Sequence, residues 1–326
     1  MSRRLSPFVA AVLVGVSALV TACGSGTSTR APIALGRVNP LPPGAAEITS
    51  APHQRGDKTC DATASLRPGP LPPPGSMPPG SAMAKIVTNG RVRVGVEQNT
   101  YLFGFRNPQT GQVEGFDIDL AREIARALFG DPERIELRTV PSAERIDALR
   151  DNEVDLIVNT FSATCERAKD VDFSSVYYVS AQRILVAKNS GIRTPDDLAG
   201  KRVCAAHGST SAEPLFALPA RPTVIGTTSW TDCLAAIQQG HADAVSTDET
   251  ILHGLAMQDA NLEVVGDPLG RDNYAIGLPK GNSELVRFVN GVLDRIRSDG
   301  TWDRMYRTRL SVLGPSPGPP APRYRE

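Results

Sequence analysis

The sequence has no excess charge of either sign: Lys plus Arg and Asp plus Glu each number 35 in 326 residues. That balance gives neither nucleic acid nor a strongly acidic surface anything to recognise. Histidine is scarce. His53, His207, His241 and His253 fall at no metal-ligand spacing, and the five cysteines contain no C-x-x-C pair, so no metal is expected. There is also no G-x-S-x-G and no reactive-cysteine context, so neither catalysis nor a cofactor is expected. Aromatic residues make up only 5% of the chain, and it has a single long apolar run, at the extreme N-terminus. The length allows one or two domains with a sizeable core.

The apolar run, Phe8 to Val20, follows Arg3 and Arg4 and is too short to span a bilayer comfortably, which reads residues 1–22 as a signal peptide. It ends in Val20-Thr21-Ala22-Cys23, which resembles the lipobox of bacterial lipoproteins. The resemblance implies that the Cys23 sulfur is acylated, palmitate being a typical chain, and that the protein is held on the extracytoplasmic face of the cell membrane. Residues 23–84 read as a tether. Twelve prolines lie between Pro32 and Pro79 without a sustained apolar period, and such a segment buries too little surface to offset its ordering entropy. Cys60 is the exception. A free thiol is unexpected in an oxidising compartment, so Thr59 to Ala62 should be stapled to the folded body.

The body begins near Ala84. Arg91–Val96 alternates as a strand, and Asn107–Gly111 is a turn. Gly115-Phe116-Asp117 opens a helix with Leu120, Ile124 and Leu128 on one face and Gly130 as its stop. A strand at Ile135–Thr139, a short helix from Ala143 to Arg150 capped by Ser142, and a strand at Asp155–Val158 follow. A second unit of the same kind has strands at Ile184–Ala187, Arg202–Ala206, Val224–Thr227 and Ala242–Ser246. Its helices are Thr194–Gly200, one opened by Gly208-Ser209-Thr210-Ser211, and Thr231–Gln239. Tyr274–Pro279, an amphipathic helix from Ser283 to Arg297 and a last helix with Trp302 and Tyr306 complete the body, and residues 313–326 read as a Pro-rich tail. Alternating strands and helices in two groups give an α/β fold of two doubly wound lobes.

Two motifs carry a family resemblance. G-F-D-I-D-L-A at 115–121 is one. The other is N-T-F-S-A-T-C-E-R-A-K-D-V-D-F-S-S-V-Y-Y from Asn159 to Tyr178, where Thr160, Ser162 and Thr164 precede Arg167. Together with G-S-T-S at 208–211 and the Asp248 segment they resemble, in order, the polar amino-acid solute-binding proteins of bacterial ABC uptake systems. This likeness covers residues 90 to about 310. It implies the periplasmic-binding-protein type II fold, in which the chain crosses a two-strand hinge near Ser180 and near Arg271. Lobe 1 is then residues 85–180 and 272–312, and lobe 2 residues 181–271. Four cysteines besides Cys23 allow three pairings, and spacing alone does not choose between them. Placing Cys204 and Cys233 in one lobe favours that pair and leaves Cys60 with Cys165.

The resemblance also suggests a site. Arg167, Thr160 and Ser162 suit an α-carboxylate, with Ser209 and Thr210 clamping it from the second lobe, and Asp248 takes the α-ammonium. Tyr101 and Phe103 are candidate walls of the side-chain pocket. Val140-Pro141-Ser142-Ala143-Glu144-Arg145-Ile146 resembles a segment of glutamate/aspartate binding proteins in which a Ser and an Arg reach a side-chain carboxylate, here Ser142 and Arg145. A second cation suits a second carboxylate in a dry cleft, and Glu97 would repel such a ligand if it faced the pocket. The expectation is an aspartate or glutamate binder, with glutamine or asparagine as the alternative. It is expected to be a monomer that serves a permease through hinge closure. An amino-acid sensor signalling to a membrane receptor would use the same site, and a dehydratase-like enzyme would share only the fold.

Overall fold

A computed structural model of the protein describes residues 41–51 and 60–325. Two short strands, β1 (Ala46–Ile48) and β2 (Ala64–Leu66), precede α1 (Ala82–Thr88), whose N-terminus is closed by Ser81 Oγ accepting from Ala84 N. The alternating run becomes β3 (Val92–Val96), with Val92, Val94 and Val96 buried on one face. An antiparallel ribbon of β4 (Asn99–Thr100), β5 (Gly104–Arg106) and β6 (Val113–Glu114) follows. α2 (Phe116–Phe129) buries Leu120, Ile124 and Leu128 as its period predicts and stops at Gly130 in the left-handed conformation. Gly115, before α2, has φ +135°, and a Cβ there would meet the Phe103 carbonyl at 2.1 Å, so only glycine fits. β7 (Ile135–Thr139), α3 (Arg145–Arg150) and β8 (Leu156–Ile157) complete the first unit. α3 starts two residues later than expected and Glu144 holds its N-cap position, so Ser142 is not its cap.

After β9 (Val171–Phe173), β10 (Tyr178–Ala187) leaves the first lobe and enters the second. That lobe holds β11 (Arg202–Ala206), α4 (Glu213–Ala217), β12 (Thr223–Thr227), α5 (Trp230–Gln238), β13 (Ala244–Asp248) and α6 (Glu249–Ala256). β14 (Leu262–Tyr274) returns beside β10, antiparallel from Ala187↔Leu262 to Tyr178↔Tyr274. β15 (Gly277–Pro279), α7 (Ser283–Ser298), α8 (Thr301–Arg309) and β16 (Arg323–Arg325) end the chain. The lobe 1 sheet has the order β7-β3-β8-β15-β9, and the lobe 2 sheet β1-β12-β11-β13-β10-β14. Apolar clusters cover both faces of each sheet, as a doubly wound fold requires. β10 and β14 are the two-strand hinge.

The Pro-rich flanks depart from the expected tether and tail. Among the described residues, β1 adds antiparallel to the β12 edge of lobe 2, and β2 pairs in parallel with β16, at the end of the supposed tail. Leu66, Leu71 and Met77 pack against the lobe 1 core, and Gly75 N donates to Leu128 O. The buried Asn290 on α7 clips this segment, donating to Ser65 Oγ and Leu66 O while accepting from Ser175 N. Prolines lower the entropy of the unfolded chain, so a few apolar anchors suffice to lay such a segment down without periodicity. The expected leader, the expected acylation at Cys23 and His53 lie outside the described residues.

Both disulfides expected from the lobe assignment are present. Cys204–Cys233 ties β11 to α5, with Cα atoms 5.5 Å apart. Cys60–Cys165, at 5.8 Å, fastens the N-terminal segment two residues ahead of Arg167. Its loop of 105 residues constrains the unfolded chain strongly. Replacing Cys60 and Cys165 together by Ser should lower the unfolding free energy by about 2–4 kcal/mol in urea titrations. A loss below about 0.5 kcal/mol would show that the β2–β16 clip alone holds the segment.

Candidate ligand cleft

Between the lobes, two guanidinium groups converge on one carbonyl. Arg145 Nη2 donates to Gly208 O at 3.1 Å and Arg167 Nη2 donates to the same oxygen at 2.8 Å. Both arginines belong to lobe 1 and Gly208 to lobe 2. Gly208 has φ +70°, and a Cβ there would lie 2.3 Å from Ala143 Cα, so a side chain would hold the lobes apart. The two arginines are each 3% exposed and lie over the Phe161 ring, at 4.3 Å for Arg145 and 4.9 Å for Arg167. Ring faces of this kind stabilise desolvated cations.

The two cations are engaged differently. Arg145 gives three of its five donors to backbone: Nε to Ser142 O, Nη1 to Asn159 O and Nη2 to Gly208 O. Arg167 gives two, Nη1 to Ser162 O and Nη2 to Gly208 O. Burial pulls Arg167 down to about 10, while Asp272, Asp248 and Glu213 favour its charge. Burial, and then the charge of Arg167, push Arg145 well below the usual arginine range.

The hydroxyl segment is held in place from two sides. Ala163 N donates to Asn273 O and Ala275 N to Phe161 O, which lays residues 161–163 along the hinge strand with Ser162 opposite Tyr274. Thr160 adopts φ +37°, a conformation that β-branched residues avoid, and its N–H donates to Asp117 Oδ2 at 2.8 Å. Asp117 lies in the first turn of α2 and is fully buried; Tyr177 Oη also donates to it at 2.8 Å. Burial pushes its carboxyl up to about 6 against the opposing pull of those two bonds.

The expected site residues fall into two groups. Arg167, Thr160, Ser162, Ser209, Thr210, Asp248, Ser142 and Arg145 are all buried around the cleft. Asp248 ends β13 and accepts from Tyr274 Oη at 2.5 Å; it occupies the N-cap position of α6 without making a side-chain cap bond. Ser209 Oγ donates to Ala206 O, and Thr210 Oγ1 donates to Asp272 Oδ1, while α4 begins only at Glu213, so neither hydroxyl caps that helix. Phe103 belongs to the second group. It is fully buried in a cluster with Phe116, Tyr178 and Tyr274, a layer behind the cleft. Tyr101 is half-buried with its ring edge-on to Phe105, and its backbone packs near Gly254 of lobe 2.

Sequence reasoning assigned no role to Asp117, Phe161 or Gly208, though each stands inside a quoted motif. An acid among apolar helix positions and a Phe between hydroxyls were the available signals. Among the described residues no group of His, Cys, Asp and Glu is arranged to hold a metal ion, and no helix is long and apolar enough to cross a membrane.

Gly208→Ala should keep the cleft from closing. Small-angle scattering should give a larger mean radius of gyration than wild type, with a left-handed alanine itself costing about 1 kcal/mol. An unchanged scattering curve would mean that the lobe contact does not depend on Gly208. A second expectation concerns pH. The folded pKa of Asp117, about 6, lies above its ordinary value of 3.8. Its contribution to stability is therefore fully present below about pH 4 and lost as pH rises through about 6. The unfolding free energy of wild type relative to Asp117→Asn should fall over that window, and a flat difference would contradict the assignment.

Comparison with known proteins places this architecture. Residues 92–310 match the family model of bacterial extracellular solute-binding proteins, family 3. The ABC transporter glutamine-binding protein GlnH of Bacillus subtilis is 37% identical over 226 residues, covering 69% of this chain and 83% of that protein. The glutamate-binding protein GluB of Corynebacterium efficiens is 30% identical over 243 residues, 71% of this chain and 82% of the relative. Among solved structures, the cysteine-binding protein of Campylobacter jejuni superposes with a TM-score of 0.69 at 29% identity, covering 73% of this chain and 96% of that one. With a matched span that takes in both lobes, the hinge and the cleft, the chain belongs to the bacterial extracellular solute-binding proteins of family 3.

Proposed function

We propose that the protein captures L-glutamine in the cleft and delivers it to an ABC permease, with the hinge closing over the ligand and Cys23 anchoring the chain to the membrane by lipid. Family membership and the named relatives support an amino-acid solute-binding role in ABC transport. The preference for an amide over an acid rests on Glu97. The residue is 6% exposed, and its carboxylate accepts from Gln98 N and Asn99 N and is pushed up by burial. Arg145 is its cationic neighbour, and most of that cation's donors are already spent on carbonyls. A side-chain amide can donate to Glu97, whereas a second carboxylate would meet it as a like charge. L-Glutamate is the second reading, favoured by the burial of Arg145 in the cleft. In this reading Arg167 takes the α-carboxylate and Asp248 the α-ammonium; no chemical step is assigned to the site.

Calorimetric titration with L-glutamine and L-glutamate tests the ligand, and a wild-type preference for glutamate would overturn the amide reading. Glu97→Gln should weaken glutamine binding and narrow the gap to glutamate. Arg167→Ala and Asp248→Ala should each cost about 2–5 kcal/mol of binding by leaving a ligand charge buried without its partner. Near-unchanged affinity in either would place the site elsewhere.

A further inference from the structure

One buried acid in the cleft has no assigned role. Asp272 lies on β14 in the hinge, opposite Ser180 of β10, and is 3% exposed. Asp272 and Tyr274 are two residues apart and point to the same face of the strand, both buried, while Arg271 is exposed. Tyr274 Oη donates to Asp248, and Ser162, whose carbonyl holds Arg167, sits opposite Tyr274. Asp272 is therefore next to the places where the proposed reading puts the α-carboxylate and the α-ammonium. One of its oxygens is occupied: Oδ1 accepts from Thr210 Oγ1 of lobe 2 at 2.8 Å. Oδ2 is buried and has no hydrogen-bond partner. A buried carboxylate oxygen without a donor is costly, so such an atom in a ligand cleft marks a place for a donor from the ligand.

We propose that Asp272 is a ligand-binding residue whose Oδ2 accepts a hydrogen bond from the α-ammonium of the bound amino acid, so that Asp248 and Asp272 together hold that group. An ammonium brings three N–H donors, and in a cleft that excludes water each needs an acceptor. Asp248 can satisfy one from β13; Asp272 satisfies a second from the hinge. Electrostatics agree with the placement, since Asp272 is the acid that most favours the charge of Arg167, ahead of Asp248. A carboxylate on Arg167 thus leaves its own α-ammonium within the field of both acids. Because Asp272 also holds Thr210, the same side chain ties ligand recognition to the lobe contact. This inference rests on the amino-acid reading of the cleft. It does not depend on which side chain the ligand carries.

The test uses Asp272→Asn, which keeps the shape and can still accept from Thr210, together with Thr210→Val and the double variant. Each is titrated calorimetrically with L-glutamine and L-glutamate and melted without ligand. Asp272→Asn should weaken binding on the order of ten- to a hundredfold, the scale of one hydrogen bond to a charged group. Its melting temperature should stay the same or rise, because a buried charge has been removed. Thr210→Val should lose much less, and the double variant should lose the product of the two factors. Affinity of Asp272→Asn within twofold of wild type would overturn the proposal. So would a loss that Thr210→Val equals and the double variant does not exceed, which would make Asp272 a positioning residue. Failure of Asp272→Asn to fold would make it structural and overturn the assignment likewise. A wild type that prefers glutamate defeats the amide reading alone, and one that binds none of the common L-amino acids in a thermal-shift panel defeats both.

Discussion

The carbonyl of Gly208 is the point on which the two lobes agree. It accepts from Arg145 and Arg167 together, so one neutral oxygen of lobe 2 meets two cations of lobe 1. Two like charges over one aromatic ring repel each other, and that arrangement is tolerable only where acceptors and acids surround them. The cleft supplies these: Ser142, Asn159 and Ser162 through their carbonyls, and Glu97, Asp248 and Asp272 through their charge. The geometry of the site then follows from bringing those acceptors to one place. The hinge strand carries Asp272 and Tyr274, the strand after α5 ends at Asp248, and the turn after β11 presents Gly208.

Within this arrangement charge and strain are concentrated at the hydroxyl segment around Thr160. Thr160 keeps an unfavourable backbone conformation because Asp117, locked by Tyr177, receives its N–H. The aromatic cluster of Phe103, Phe116, Tyr177, Tyr178, Tyr274 and Trp302 stands behind that lock and resists its displacement. The core of lobe 1 and the cleft are thus one mechanical unit, and Tyr274 belongs to both.

Much of this was legible in the sequence where periodicity or punctuation is strong. Leu120, Ile124 and Leu128 before Gly130 define α2, and the strands Ile135–Thr139 and Arg202–Ala206 appear with their expected limits. The hinge was visible only through family resemblance. Its middle residues, Ser180, Gln182, Arg271, Asp272 and Asn273, are all polar, and that removes the apolar alternation by which a strand is recognised. The Pro-rich flanks misled for the opposite reason. Their anchors, Leu66, Leu71 and Met77, are too sparse to make a period, and their partners lie far along the chain. Phe103 looked like a pocket wall because an isolated aromatic beside a turn carries no sign of depth. Its place in the cluster depends on residues more than seventy positions away.

The pairing of β2 with β16 has a consequence for the order of assembly. Arg323 reaches Thr63 across a separation of 260 residues, so the two short strands that flank lobe 1 meet only after residues 323–325 have been made. Lobe 2, apart from its β1 edge, is continuous between its two crossings and closes its own Cys204–Cys233 bond. During vectorial synthesis or export lobe 2 has all of its central strands before lobe 1 does. Contacts of such long range close late, since the loop entropy must be overcome before the pairing gives anything back. The finishing seam of the molecule is therefore remote from the cleft in sequence, yet Cys60 fastens it to Cys165, two residues from Arg167 and the lobe contact it makes.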